Sequence, residues 1–161
     1  RESYDATAKP AERAAAANAL LPDLLLSIHG NSAPEGSTAS GFECYPSVPG
    51  RTWHQESYYF AERLASVMRS AGASLRGAGS PLHLLHRRSK AAGRDQPHRS
   101  AGRAQFYHSG RCNCPAVLAE QCFVTSAADV AQFGSEEGCR RTARAYYEAI
   151  CTYFEITPLP E

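Results

Sequence analysis

The fold is decided by a short apolar run that ends in a histidine, Asp23-Leu24-Leu25-Leu26-Ser27-Ile28-His29. A continuous apolar run of this length, bounded by turn residues, is typical of a strand that is buried on both faces. The stretch over 30–40 is rich in Gly, Ser, Pro and Asn and predicts a loop. This part of the sequence therefore predicts a core strand whose last residue is polar.

Working outward from this strand, predicted helices alternate with further predicted strands. Helical periodicity, caps and stop signals predict helices over 10–21, 53–71, 126–133 and 136–154. Apolar or alternating runs predict strands over 41–45 and 116–120. Alternation of this kind predicts an α/β fold, with a mostly parallel sheet flanked by helices in a three-layer sandwich.

Side-chain spacing also predicts which faces of the helices are buried and which residues cap them. Ser126 (or Thr125) and Ser135 are the expected N-caps of the last two helices. The expected buried positions of the first helix are Ala14, Ala17 and Leu21, and those of the second helix are Phe60, Leu64, Val67 and Ala71. In the last helix they are Cys139, Ala143, Tyr147, Ile150 and Phe154.

The overall composition excludes several classes of protein. The chain has 161 residues, of which 43% are hydrophobic and 20% charged, which fits one globular domain over residues 1–161. No apolar run approaches the roughly 20 residues that span a membrane. The first residues lack the apolar segment of a signal peptide, although a mature secreted protein lacks one too. Composition alone therefore leaves the compartment open.

Six cysteines, at 44, 112, 114, 122, 139 and 151, are too few for a dense disulfide framework. The Cys112-x-Cys114 spacing differs from the CxxC of zinc ribbons and of thioredoxin-like redox sites. Most of these cysteines are expected to be small buried residues, with one or two disulfides left open.

Two predicted strands end in residues that can carry chemistry, His29 and Glu120. In an open α/β sheet, ligands bind at the carboxyl ends of the strands. There a histidine can ligate a metal and a carboxylate can act as a general base, although a strand-end histidine is more often a structural hydrogen-bonding group. Spacing alone leaves both interpretations open.

The sequence motifs around these two residues resemble those of the zinc-dependent N-acetylmuramoyl-L-alanine amidases. Residues 23–34 are similar to the family's "D-L-x-I-S-I-H-x-N" strand, and residues 114–126 to its "P-A-V-L-V-E-x-G-F-x-S-N" segment. Weaker similarities cover Arg1-Glu-x-x-Asp5, Arg13 to Asn18 and residues 41–45, in the family's order. The resemblance implies hydrolysis of the amide bond between N-acetylmuramic acid and L-alanine in peptidoglycan.

Residue by residue, the resemblance implies that His29 is a zinc ligand and Glu120 the catalytic acid/base. The family's first ligand, in a Gly-His-Gly-Gly turn, and its glutamate ligand on the next helix have no counterpart in this sequence. We therefore expect a domain that lacks the family's first strand and helix. Catalytic zinc takes three protein ligands plus water, so His29 alone predicts little bound zinc.

Other histidines offer a weak alternative as metal ligands. Nothing in the sequence places these histidines near His29. They are His54, His83, His86, His98 and His108. Two further functions stay open: a catalytically inactive wall-binding or regulatory relic of the amidase fold, and a zinc peptidase acting on another amide. The amidase interpretation implies a periplasmic or extracellular site of action as an autolysin, or an endolysin of phage type.

A basic segment over 78–104 interrupts the pattern of strands and helices. Residues 83–103 carry a net charge of +5, against −4 for the rest of the chain. Such a composition favours an exposed loop insertion. A role in attaching to anionic wall polymer, or as a lid beside the active site, is the functional alternative. Nucleic-acid binding is disfavoured because Phe106 and Tyr107 follow the basic run and do not interleave with it.

Overall fold

The computed structural model describes residues 10–76 and 111–160. The basic insertion predicted over 78–104 lies outside these residues, as do His83, His86, His98 and His108. Within the two described ranges, the strands are β1 (Leu25–Asn31), β2 (Glu43–Pro46) and β3 (Ala116–Phe123), and the helices are α1 (Pro10–Ala19), α2 (His54–Ser70), α3 (Ala127–Phe133) and α4 (Glu136–Tyr153).

The three strands form one sheet in the order β1-β3-β2. Strand β1 runs parallel to β3, whereas β2 runs antiparallel to it. An α/β sheet flanked by helices is confirmed, but the expectation of a mostly parallel sheet holds for only one of these two pairings. The segment between β1 and β2 contains no helix, and parallel strands are joined through a long crossover, usually helical. The chain therefore returns as an antiparallel strand.

The prediction that β1 is buried on both faces is wrong. Its side chains alternate between half-buried and exposed, and Ile28 retains 52% of its accessible surface. Strand β3 is buried along almost its whole length. In the described part of the sheet, β1 has one strand neighbour and β3 has two. Two similar apolar runs are therefore buried to different extents.

One face of the sheet packs against α2, α3 and α4 and is called the core face below. The sheet contributes Leu26, Val117 and Ala119, and the helices contribute the following apolar side chains: Phe60, Leu64, Met68, Phe133, Ala145 and Ala149. Burying apolar area of this kind is the main favourable term in folding. The predicted face of α2 is thus confirmed at Phe60 and Leu64.

The predicted buried faces of α1 and α4 need correction. Leu21 is 85% exposed, because it lies beyond the end of α1 with a positive φ of 50°. On α4, the buried side is the one that carries small residues and Tyr146, and it faces α2; its members are Gly138, Thr142, Ala145, Tyr146, Ala149 and Cys151. Cys139 is exposed, while Tyr147 and Phe154 keep 36% and 40% of their surface. Small side chains let α4 and α2 approach closely. This close packing decides which side of α4 is buried, in preference to the side that carries the larger apolar residues.

The opposite face of the sheet carries α1 over its amino-terminal half. Ala14 of α1 packs with Cys112, Cys114 and Ala116, and Leu25 of β1 joins this cluster. Helices on both faces give the expected three layers. All six cysteines are free thiols and five of them are buried, so the expectation that most are small buried residues is confirmed.

Both predicted serine caps are present. Ser126 Oγ accepts a hydrogen bond from the amide of Asp129 at 3.3 Å, and Ser135 Oγ accepts one from the amide of Gly138 at 3.1 Å. Asp129 is itself buried, and its Oδ2 accepts from the amides of Phe123 and Gly41, each at 2.8 Å. The carboxylate of Asp129 therefore fixes the end of β3 relative to the segment that enters β2.

Candidate functional site

Three titratable side chains lie in one row across the sheet, on the face opposite the core. His29 of β1 is the register partner of Glu120 of β3, and Glu43 of β2 is the register partner of the same glutamate. Register partners project from the same face of a sheet, and neighbouring strands lie about 5 Å apart. The row therefore places Glu120 between His29 and Glu43. This part of the sheet is called the site face below.

The expectation that His29 and Glu120 meet at the same end of the sheet is confirmed. Both residues belong to the parallel pair, toward the carboxyl end of each strand. Glu120 keeps only 2% of its accessible surface, whereas His29 is half-buried. Their chemical roles stay predictions.

The imidazole of His29 is held by its own strand. Its Nε2 lies 2.7 Å from Ser27 Oγ, two residues earlier on the same face. Burial lowers the pKa of His29, and the positive charge of Arg13 on α1 lowers it further. Both causes favour the neutral imidazole, which is the form that can ligate a metal.

Sequence reasoning missed Glu43, although the alternation over 41–45 already sets Glu43 and Tyr45 apart from Phe42 and Cys44. Glu43 is 6% exposed and its carboxylate has three partners. Oε2 accepts from Asn31 Nδ2 at 2.9 Å and from the hydroxyl of Tyr45 at 2.7 Å, and Oε1 pairs with Arg76 Nε at 2.8 Å. These donors offset the cost of burying the charge.

An irregularity in β1 brings Asn31 to Glu43. The register between β1 and β3 shifts between His29 and Asn31. A Cβ added to Gly30, which lies at the shift, would stand 2.7 Å from Val124 Cγ1, so a larger residue there would require the Val124 side chain to move. The amide of Val124 then donates to the carbonyl of Asn31 at 2.8 Å. The site face is thereby tied together across all three strands.

The described residues do not complete a metal site. Over 10–76 and 111–160, no group of three His, Cys, Asp or Glu residues is arranged to hold a metal ion. Catalytic zinc needs three protein ligands, and the site face contributes one imidazole. Of the alternative histidines, His54 lies at the start of α2, where its Nδ1 is 2.6 Å from the carbonyl of Ser47. That contact gives His54 a structural explanation.

Two surface cavities lie away from the site face. One, of about 170 Å³, is lined by residues that include Ser47, Trp53 and Cys112. The other, of about 490 Å³, lies between α2 and α4 and is lined mainly by the arginines and glutamates of α4. Neither includes His29 or Glu120, and the chemistry of the residues is a better guide to function than these concavities.

Comparison with known proteins identifies relatives of this chain. Residues 1–152 match the model of the protein family Amidase_3, N-acetylmuramoyl-L-alanine amidase. No curated protein sequence matches the chain. Among solved structures, it is similar to the N-acetylmuramyl-L-alanine amidase Ami1 from Mycobacterium smegmatis, with 25% identity and a TM-score of 0.67. That match covers 89% of this chain and 59% of Ami1.

Two further structures share the fold. The N-acetylmuramoyl-L-alanine amidase from Clostridium difficile 630 has 21% identity and a TM-score of 0.67, with 94% of this chain and 68% of that chain covered. The catalytic domain of CwlV from Bacillus (Paenibacillus) polymyxa var. colistinus has 21% identity and a TM-score of 0.68, with 97% and 71% covered. This chain thus spans roughly three-fifths to seven-tenths of the length of these relatives. By the match over residues 1–152, it belongs to the N-acetylmuramoyl-L-alanine amidase family.

Proposed function

We propose that this chain takes part in hydrolysis of the amide bond between N-acetylmuramic acid and L-alanine in bacterial peptidoglycan. The observation that carries the proposal is the register pairing of His29 with Glu120 on the site face, in a chain of this family. A carboxylate and an imidazole in adjacent strands are the residue types that metal-assisted amide hydrolysis requires.

In this proposal Glu120 is the acid/base. Its carboxylate accepts a proton from the attacking water and returns it to the leaving nitrogen of L-alanine. That nitrogen needs the proton because an amide anion is a poor leaving group. The carbonyl under attack belongs to the lactyl group of N-acetylmuramic acid. Transfer by one positioned group of this kind contributes about 10²–10⁴-fold to the rate.

His29 would contribute one ligand to a zinc ion, the cofactor that the family resemblance implies. When bound, zinc supplies Lewis acidity to the carbonyl and to water. The neutral imidazole that burial favours suits this role. The other protein ligands would come from outside residues 10–76 and 111–160, because no group of three His, Cys, Asp or Glu residues within those ranges is arranged to hold a metal ion.

Among the described residues the ligand set is incomplete, and this favours one second candidate, a relic of the amidase fold that binds cell wall without cutting it. Both candidates take peptidoglycan as the partner and place the protein at the cell wall, in the periplasm, outside the cell, or as a phage-type lysin. Across the described residues, no helix is long and apolar enough to cross a membrane.

The proposal is tested with a soluble N-acetylmuramoyl-L-alanyl peptide and the protein with and without added zinc. Mass spectrometry is expected to detect the free peptide with a new L-alanine amino terminus, and a chelator is expected to abolish its formation. A peptide carrying an N-acetyl group in place of the muramoyl group tests for a peptidase of another amide. Binding without cleavage at saturating zinc would reject the amidase and support the relic.

A further inference from the structure

Arg76 reaches the site face from a segment that belongs to none of the three strands. Its amide donates to the carbonyl of Phe42 at 3.0 Å, next to a bridge between Leu75 and Phe42. Its Nε pairs with Glu43 Oε1 at 2.8 Å, and its guanidinium stands 5.2 Å from the centre of the Phe123 ring. Backbone, carboxylate and ring together fix the plane of the guanidinium.

The exposure of the two partners is unequal. The side chain of Arg76 is 45% exposed, whereas that of Glu43 is 7% exposed. Arginine has five N–H donors in a planar fork that matches a carboxylate, and the pair with Glu43 uses the one on Nε. Within the described residues, the Nη groups make no hydrogen bond that competes for them. With respect to residues 10–76 and 111–160, these groups are open to a ligand at the site face.

The charges of the site face explain what this cation is suited to bind. Glu43 and Glu120 are register partners and both are carboxylic acids. A stem peptide also carries carboxylates, so a fixed cation is needed where such a ligand meets this face. Within the described residues, Arg76 contacts this pair of carboxylates through Glu43.

We propose that Arg76 is a substrate-binding residue that receives a carboxylate of the stem peptide, while Glu43 holds its guanidinium in place through Nε. This inference rests on the proposed function, and it adds the feature of the substrate that is recognised. It also explains why a buried carboxylate is built next to Glu120, where an apolar side chain would be simpler to bury.

Calorimetric binding of two ligands to the whole chain tests the proposal without requiring turnover. One ligand is N-acetylmuramoyl-L-alanyl-D-glutamate, and the other is the same compound with both carboxyl groups of its glutamate amidated. Wild type is expected to bind the free acid about 3- to 30-fold more tightly, as one charge-assisted hydrogen-bonded pair at a partly exposed site contributes. Arg76→Gln is expected to bind the two ligands equally.

Two further variants separate recognition from folding. Arg76→Lys keeps the charge and is expected to retain part of the preference, even where Arg76→Gln is poorly folded. Arg63→Gln is the matched control, because Arg63 also stands over a ring, that of Tyr59 at 4.4 Å, but on the surface of α2. Its preference is expected to equal that of wild type.

Three outcomes would overturn the proposal. Equal binding of the acid and the amide by wild type removes carboxylate recognition and leaves the proposed function intact. Retention of the full preference in Arg76→Gln assigns recognition to another residue and leaves Arg76 as a counter-ion of Glu43. Failure of wild type to bind either ligand rejects the proposed function, and the role of Arg76 with it.

Discussion

The core face and the site face are built from the same three strands, one residue out of phase. Along β2, Cys44 points to the helices and Glu43 to the opposite side; along β3, Ala119 and Glu120 divide in the same way. The core face is apolar and closely packed, and its members need only the right volume. The site face buries charged and polar groups that need specific partners at specific distances.

Strand alternation therefore places the residues that stabilise this fold and the residues proposed to carry its chemistry on opposite faces of the sheet. A change on the core face should alter the free energy of unfolding and leave ligand preference alone. A change on the site face should do the reverse, except where the buried carboxylate of Glu43 gives the site face a structural share.

The largest effect is expected at Glu120. Replacement by Gln keeps the size and much of the hydrogen bonding but removes the proton acceptor. In the zinc-loaded active form, turnover is expected to fall about 10²- to 10⁴-fold, with zinc content unchanged. His29→Ala should lose metal as well as activity. Release of stem peptides, elemental analysis and a thermal melt are measured together. A Gln variant that melts normally and cuts at close to the parent rate would remove Glu120 from the mechanism.

The next effect belongs to the core face. Leu64 of α2 is fully buried against the strand residues of that face. Leu64→Ala is expected to reduce the free energy of unfolding by about 2–5 kcal/mol, through lost burial and a cavity. Chemical denaturation measures the loss. The relative affinity for the two muramoyl ligands is expected to stay at the wild-type value; a changed ratio would mean that the two faces are coupled.

Much of this architecture could be predicted from local sequence. The serine caps at 126 and 135 and the strand-end positions of His29 and Glu120 depend on neighbours within a few residues, where the physics of caps and short apolar runs applies directly. The opposite projection of Glu43 and Cys44 also follows from the period of two.

The remainder depends on which segments become neighbours in space. Nothing local tells that β3 lies between β1 and β2, so neither the antiparallel pairing nor the pairing of Glu43 with Glu120 could be predicted. Arg76 and Glu43 are far apart in sequence and meet only through that arrangement. The buried side of α4 depends on tertiary contacts in the same way, because it is the side with small residues that packs against α2.

A double-mutant cycle on Glu43 and Arg76 tests how much stability the site face carries. The variants are Glu43→Gln, Arg76→Gln and the double variant, each measured by urea denaturation. Because Glu43 is buried but the side chain of Arg76 is 45% exposed, the coupling is expected at about 1–1.5 kcal/mol, above a surface pair and below a fully buried one. The exposed pair Arg140 and Glu136 on α4 is the control, expected below about 0.5 kcal/mol. Equal coupling in the two cycles would show that the Glu43 pair is only a surface contact.

The smallest effect concerns the residue beside Glu43 on the other face. Cys44 is buried among core residues, and its Sγ lies 3.6 Å from the carbonyl of Ala61. Burial, and then the charge of Glu43, raises the pKa of Cys44 from its ordinary 9.0 to about 12. The unfolded chain therefore releases this proton near pH 9, while the folded chain holds it until about pH 12. The contribution of the thiol to stability is complete below pH 9 and is lost as the pH rises through that window.

Between pH 7.5 and 9.5, wild type is expected to lose about 0.5–1 kcal/mol more free energy of unfolding than Cys44→Ala. The measurement is urea denaturation under reducing conditions at both pH values, which cancels the cavity left by the substitution. Identical pH dependence in wild type and Cys44→Ala would mean that this thiol reaches water in the folded state, and that the core face is less closed than its packing indicates.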